Sequence, residues 1–181
     1  MLSFRLSLLK LFDEAVLPAF LVVGTKIISF LLVAIFLGLK LPLFSDLPSI
    51  LFLTKWVSED YEKFVQVSSV SSMFTFLVLL IFFGWVIIKA HHFHDSHISP
   101  RYHQKLVKNG WEHLVESSQE IYHQALVWFT LTWLFFFYVI VSTYAGLTAW
   151  WVPLIGTAVV FSLTMMMVED VINEVKIKKS A

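Results

Sequence analysis

Four stretches of the chain, about 15–39, 67–88, 124–145 and 150–168, contain no Asp, Glu or Arg, and Lys26 is the one full charge within them. Each matches the roughly 20 apolar residues that carry a helix across the hydrocarbon core of a bilayer. No water reaches backbone N–H and C=O groups there, so each stretch must satisfy them internally, as a helix. Composition agrees: the chain is 58% hydrophobic and 14% charged, where a soluble domain carries about 25% charged residues. The sequence therefore predicts an all-α integral membrane protein, one polytopic domain over 1–181 with four transmembrane helices. A loop at 89–123 and a tail at 169–181 flank the spans. Arg5 and Lys10 ahead of the first apolar run resemble a signal peptide, but that run is too long for a signal core and no A-x-A site follows, so we read it as an uncleaved span.

Lys and Arg set the orientation. Arg5, Lys10, Lys89, Arg101, Lys105, Lys108, Lys176, Lys178 and Lys179 fall on one side, and Lys40, Lys55 and Lys63 on the other. Nine against three, with an even number of spans, predicts cytoplasmic N- and C-termini in a plasma or bacterial inner membrane. The connections carry structure too. Residues 2–14 place Ser3, Ser7, Lys10 and Glu14 opposite leucines, the pattern of a helix lying in the interface. The outer loop, 41–64, is apolar enough over 47–57 for a second interfacial or re-entrant segment. Ser99-Pro100 is a helix-start signal and Asn109-Gly110 a stop, so the inner loop is expected to be partly helical. Val168, Val171, Ile172 and Val175 recur at helical spacing, which extends the last span into the tail.

Several chemistries are excluded. With no Cys, the chain has no disulfides, thiolate metal sites or thiol catalysis. Net charge is zero, so no global field recruits nucleic acid. There is no phosphate-binding glycine loop, no G-x-S-x-G and no H-E-x-x-H.

Three sets of residues remain. Lys26 stands near the middle of its span, where an ionised lysine costs about 2.5–3.5 kcal/mol on insertion scales. It is a candidate for a pore or cavity; alternatively span one starts later, near Ile27, and leaves Lys26 at the interface, or its long stem snorkels there. Ser68, Ser72 and Thr75 join it as a hydroxyl stripe on span two; such residues either line a polar path or bond helices together in lipid. The second set is a cluster of possible metal ligands. His91, His94 and Asp95 share one helical face, and Glu116, Glu120 and His123 another. Imidazole and carboxylate at these spacings suit zinc or iron, and Glu120-x-x-His123 has the spacing of di-metal bundles, which need two such motifs where this chain has one. An interfacial polar collar without metal accounts for the same residues. The third set is electrostatic: Arg101, Lys105 and Lys108 make a basic helical face that would meet Glu169, Asp170 and Glu174 of the tail, or anionic lipid headgroups instead.

These features suit a homo-oligomeric channel or membrane sensor in the lipid bilayer. The alternative is a membrane subunit that anchors or signals to a soluble cytoplasmic partner, as in envelope-stress or phage-defence systems. Third is a metal-dependent membrane enzyme built on the His/Glu cluster.

The topology has a direct check. A reporter fused after Lys179 should read cytoplasmic and one inserted at Asp60 external; finding both on one side contradicts four spans.

Overall fold

A computed structural model of the protein describes residues 15–38, 61–93, 100–111, 115 and 118–180. The predicted interfacial segments at 2–14 and 47–57 lie outside the described residues. Among the described residues there are five helices and no strand: α1 (Leu17–Phe36), α2 (Tyr61–Phe93), α3 (Pro100–Lys108), α4 (Ser118–Tyr144) and α5 (Trp151–Ser180). Four of them, all but α3, are long and apolar enough to cross a membrane, over Leu17–Phe36, Tyr61–His91, Glu120–Tyr144 and Trp151–Asn173. The protein is thus an all-helical chain with the makeup of an integral membrane protein. Helices α2 and α5 are longer than their apolar stretches, because the polar residues at their ends are also good helix formers. Pro18 lies in the first turn of α1, where its missing N–H removes no helical bond.

Helix α2 is the hub. It packs against α1, α4 and α5; α4 packs on α5, and α1 touches α4 only lightly. The core is correspondingly built from α2 (Phe76, Leu79, Phe83), α4 (Trp128, Phe135, Phe136) and α5 (Val152, Val160, Leu163), with Val22 as the contribution of α1. Aromatic edges and faces fill it: Phe76 meets Phe135 edge-on with centroids 5.0 Å apart, and Phe82 stacks on Trp128 at 5.5 Å. Such pairs favour offset or edge-to-face geometry. The chain covers 44% of the α2 span but only 11% of the α1 span. Helix α1 is therefore a peripheral helix leaning on α2, with Leu17, Phe20, Ile28 and Leu32 turned outward.

Small residues bring the helices together where aromatic side chains leave no other room. A Cβ added to Gly156 of α5 would lie 2.6 Å from Phe76 Cζ and 3.3 Å from Phe136 Cδ2. Gly146 ends α4 with φ of 77°. Its N–H bonds Thr143 O and the next N–H bonds Ser142 O, at 3.0 and 2.8 Å. This pair of bonds forms a left-handed helix cap that glycine adopts without strain.

Phe76 is 1% exposed and held by Phe135, so it has nowhere to retreat. Gly156→Ala should destabilise the bundle by about 1–3 kcal/mol, the range for overpacking a close-packed core. Thermal unfolding in detergent measures it; an unchanged transition contradicts the close α2–α5 contact.

Candidate functional site: the Lys26 polar cluster

Lys26 sits midway along α1 and reaches across to α2. An ammonium has three N–H donors, and the structure supplies three acceptors. Nζ donates to Ser71 Oγ at 2.6 Å, Ser72 Oγ at 2.7 Å and the Ser68 carbonyl oxygen at 2.9 Å. The two hydroxyls donate in turn to the same carbonyl, at 2.9 and 2.8 Å. With their hydrogens directed there, their lone pairs face the cation. Hydroxyl-to-carbonyl bonds three and four residues back are a common habit of serine in helices; here that habit presets the serines as a cation receptor. Among the described residues no carboxylate pairs with Lys26, so its charge rests on neutral dipoles alone.

The cluster extends in both directions. Ser29, one turn along α1, donates to Thr25 O at 2.6 Å and approaches Ser71 O at 3.3 Å. Thr75 donates to Ser71 O at 3.0 Å. On the other flank of α2, Ser68 Oγ lies 3.2 Å from Thr148 Oγ1, itself 2.7 Å from Ser142 Oγ. Ser69 Oγ accepts the Ala149 N–H at 2.9 Å, and Tyr61 Oη donates to Gly146 O at 2.6 Å. These bonds dock the α4–α5 turn onto the start of α2. One polar seam thus runs from Lys26 through the serines of α2 to that turn.

The seam is closed. Ser71, Ser72 and Thr75 are 0% exposed and Ser68 is 5%. The contact of Lys26 with Ser71 and Ser72 is that of a serine nucleophile with a lysine base, but a nucleophile needs room for substrate, and these oxygens have none.

The pore or cavity candidates Lys26, Ser68, Ser72 and Thr75 are therefore brought together, facing one another inside the chain. The side chains of Ser29, Tyr61, Ser69, Ser71, Ser142 and Thr148 also join the seam and were not among the sequence candidates. Ser71 carried a readable signal, since Ser68, Ser71, Ser72 and Thr75 fall on one face of a helix.

The other two sets of candidates are distributed differently. Among the described residues, no three His, Asp or Glu side chains converge as a metal site. His94, Asp95 and Glu116 lie outside the described residues, His123 is exposed, and Glu120 is half-buried. His91 lies next to Asp170 of α5, with Nδ1 and Oδ1 3.8 Å apart. Arg101, Lys105 and Lys108 are exposed on α3 and Glu169 on α5; among the described residues, no ion pair joins the two helices. Asp170 is 8% exposed and turned towards α2. The side chain of Glu174 is outside the described set. Comparison with protein-family models, curated proteins and solved structures finds no match to the chain.

Removing acceptors and removing the cation should differ in effect. Ser71→Ala with Ser72→Ala leaves two N–H groups of a part-buried ammonium unbonded, and should destabilise the protein in detergent by about 1–3 kcal/mol. Lys26→Leu should cost less, because both hydroxyls keep the Ser68 carbonyl and no charge remains to desolvate. The reverse order contradicts the three-acceptor geometry.

Proposed function

We propose that the protein is a non-enzymatic, homo-oligomeric membrane protein, a sensor or gated channel, in which α1 is the moving part. One observation carries this: α1, of whose span only 11% is buried, sets the single charge of its span on neutral acceptors of α2. In lipid, apolar surface gives helices no reason to associate, and polar contacts supply much of the adhesion. Among the described residues the fastening has no counter-charge, and hydrogen bonds of this kind are reversible. Undocking turns Lys26 towards lipid, which costs about 2.5–3.5 kcal/mol, unless another anion, water path or subunit receives it. That conditional release is what a membrane sensor needs. The sealed seam also bears on conduction. A single closed chain offers no aqueous path along Ser68, Ser72 and Thr75, so flux requires α1 to swing aside and copies to assemble around the exposed polar face. Placement in a plasma or bacterial inner membrane, with both termini cytoplasmic, follows from the charge count. Anchoring of a soluble cytoplasmic partner through α3 and the tail is compatible with the same mechanism.

Because the chain has no Cys, spin labels can be attached at Phe36→Cys and Tyr144→Cys alone, two outward-facing positions. In bilayers the native Lys26 protein should show one α1–α4 distance. Lys26→Leu, which can enter lipid freely, should raise the undocked fraction about tenfold or more and change ion flux in proteoliposomes or partner recruitment. Undocking that alters neither output contradicts the proposal.

A further inference from the structure

At the opposite end of the bundle from the Gly146 turn, α2 and α5 enclose a cleft of about 240 Å³. Its polar rim is His91, Glu169, Asp170 and Asn173, and its floor is Ile87, Ile88 and Met166. Asp170 is 8% exposed, and its Oδ1 has no hydrogen-bond partner. At 3.8 Å the His91 imidazole is beyond hydrogen-bond reach. A buried, unbonded carboxylate oxygen is costly, and it calls for a donor. With Glu169 on the same rim, that donor is best a cation.

The level of the cleft narrows the choice. The apolar run of α2 ends at Ile88, just before Lys89, and that of α5 at Val168, just before Glu169, so the rim lies where hydrocarbon gives way to headgroups. Ile88 also borders a second, almost wholly apolar groove of about 370 Å³ on the outer face of α2, lined by Leu80, Ile81, Gly84 and Trp85. Ile81, Trp85 and Ile88 are 45–56% exposed. Residues 81, 84, 85, 88 and 91 form one stripe down the helix. A cation-seeking pocket at headgroup level joined to an apolar groove in the hydrocarbon has the form of an amphiphile.

We propose that this stripe binds a membrane lipid with a primary-ammonium headgroup, of the phosphatidylethanolamine class, its ammonium on Asp170 and Glu169 and an acyl chain along the Gly84 groove. A primary ammonium brings three N–H donors to the unbonded Oδ1, whereas a choline headgroup brings none. A divalent metal fits less well, because no three His, Asp or Glu side chains converge here among the described residues. A water-soluble amine would leave the groove unused. Gly84 keeps the groove open: a Cβ there meets nothing within 4 Å, so a larger side chain fills the groove without disturbing the bundle.

The protein in nanodiscs of mixed phosphatidylethanolamine and phosphatidylcholine, released into native mass spectrometry, reports which lipid it retains. The ethanolamine lipid should be retained about tenfold over the choline lipid, the worth of a hydrogen bond to a buried charge. Asp170→Asn should bring that ratio close to one. Gly84→Leu, which leaves the carboxylates in place, should reduce retention of both lipids, and it decides the matter if the asparagine variant does not fold. Equal retention of both lipids by the unaltered protein, or lipid retention unchanged in Gly84→Leu, overturns the proposal. So does displacement of the lipid by soluble phosphoethanolamine at equal concentration, which would assign the site to a free amine.

Discussion

The hydrogen bonds of Lys26 to three acceptors on α2 are the polar contact that sets the register of α1, beside the edge-on contact of Phe30 with Phe64 and the packing of Ala34 against Val67. The other three spans interlock through a continuous aromatic and aliphatic core, and glycine at position 156 lets their backbones approach. Helix α1 adds little to that core. Its buried residues are Pro18, Val22, Ser29 and Ala34, small or slender side chains that allow proximity, with Phe30 meeting Phe64 of α2 edge-on at 5.8 Å. In water such a helix would be held by the hydrophobic effect; in lipid it is not. A lysine that must find acceptors within the membrane, opposite serines already turned to receive it, gives α1 a place and a register.

The bundle therefore has two unlike ends. Towards the Gly146 turn, hydroxyls and carbonyls are bonded to one another: Tyr61, Ser68, Ser69, Ser142 and Thr148 fasten α2, α4 and the turn before α5. Towards the end of α5, the helices part around His91 and Asp170, and an acceptor is left without a donor. A closed seam makes a rigid frame, while the open cleft is a place where something else completes the structure. Lys26 belongs to the first of these ends, since its acceptors on α2 are part of the same seam.

Much of the architecture was legible in sequence because a bilayer simplifies the physics: length and the absence of charge suffice to mark a span. Lys26 was legible for the same reason, as a lone charge in an apolar run. Its partners were legible only in part. Ser68, Ser72 and Thr75 stood out as a stripe, but nothing in one helix says which other helix its hydroxyls meet. Thr148 and Ser142 were invisible because they join the seam across a turn whose path is tertiary. Asp170 shows the limit most clearly. Its neighbours Glu169 and Glu174 suggested a solvated acidic face, and His91 suggested a metal ligand. Their meeting depends on α2 and α5 lying side by side, which periodicity within either helix does not encode.

The central claim is that Lys26 is held inside the membrane by serine hydroxyls and a carbonyl. Solid-state NMR on bilayer-embedded protein, labelled with ¹⁵N at lysine side chains and ¹³C at serine, tests it most directly. The Lys26 ammonium nitrogen should show through-space correlations to the Cβ atoms of Ser71 and Ser72 and little contact with mobile water. A Lys26 nitrogen correlated with water or lipid phosphate and with neither serine would contradict it.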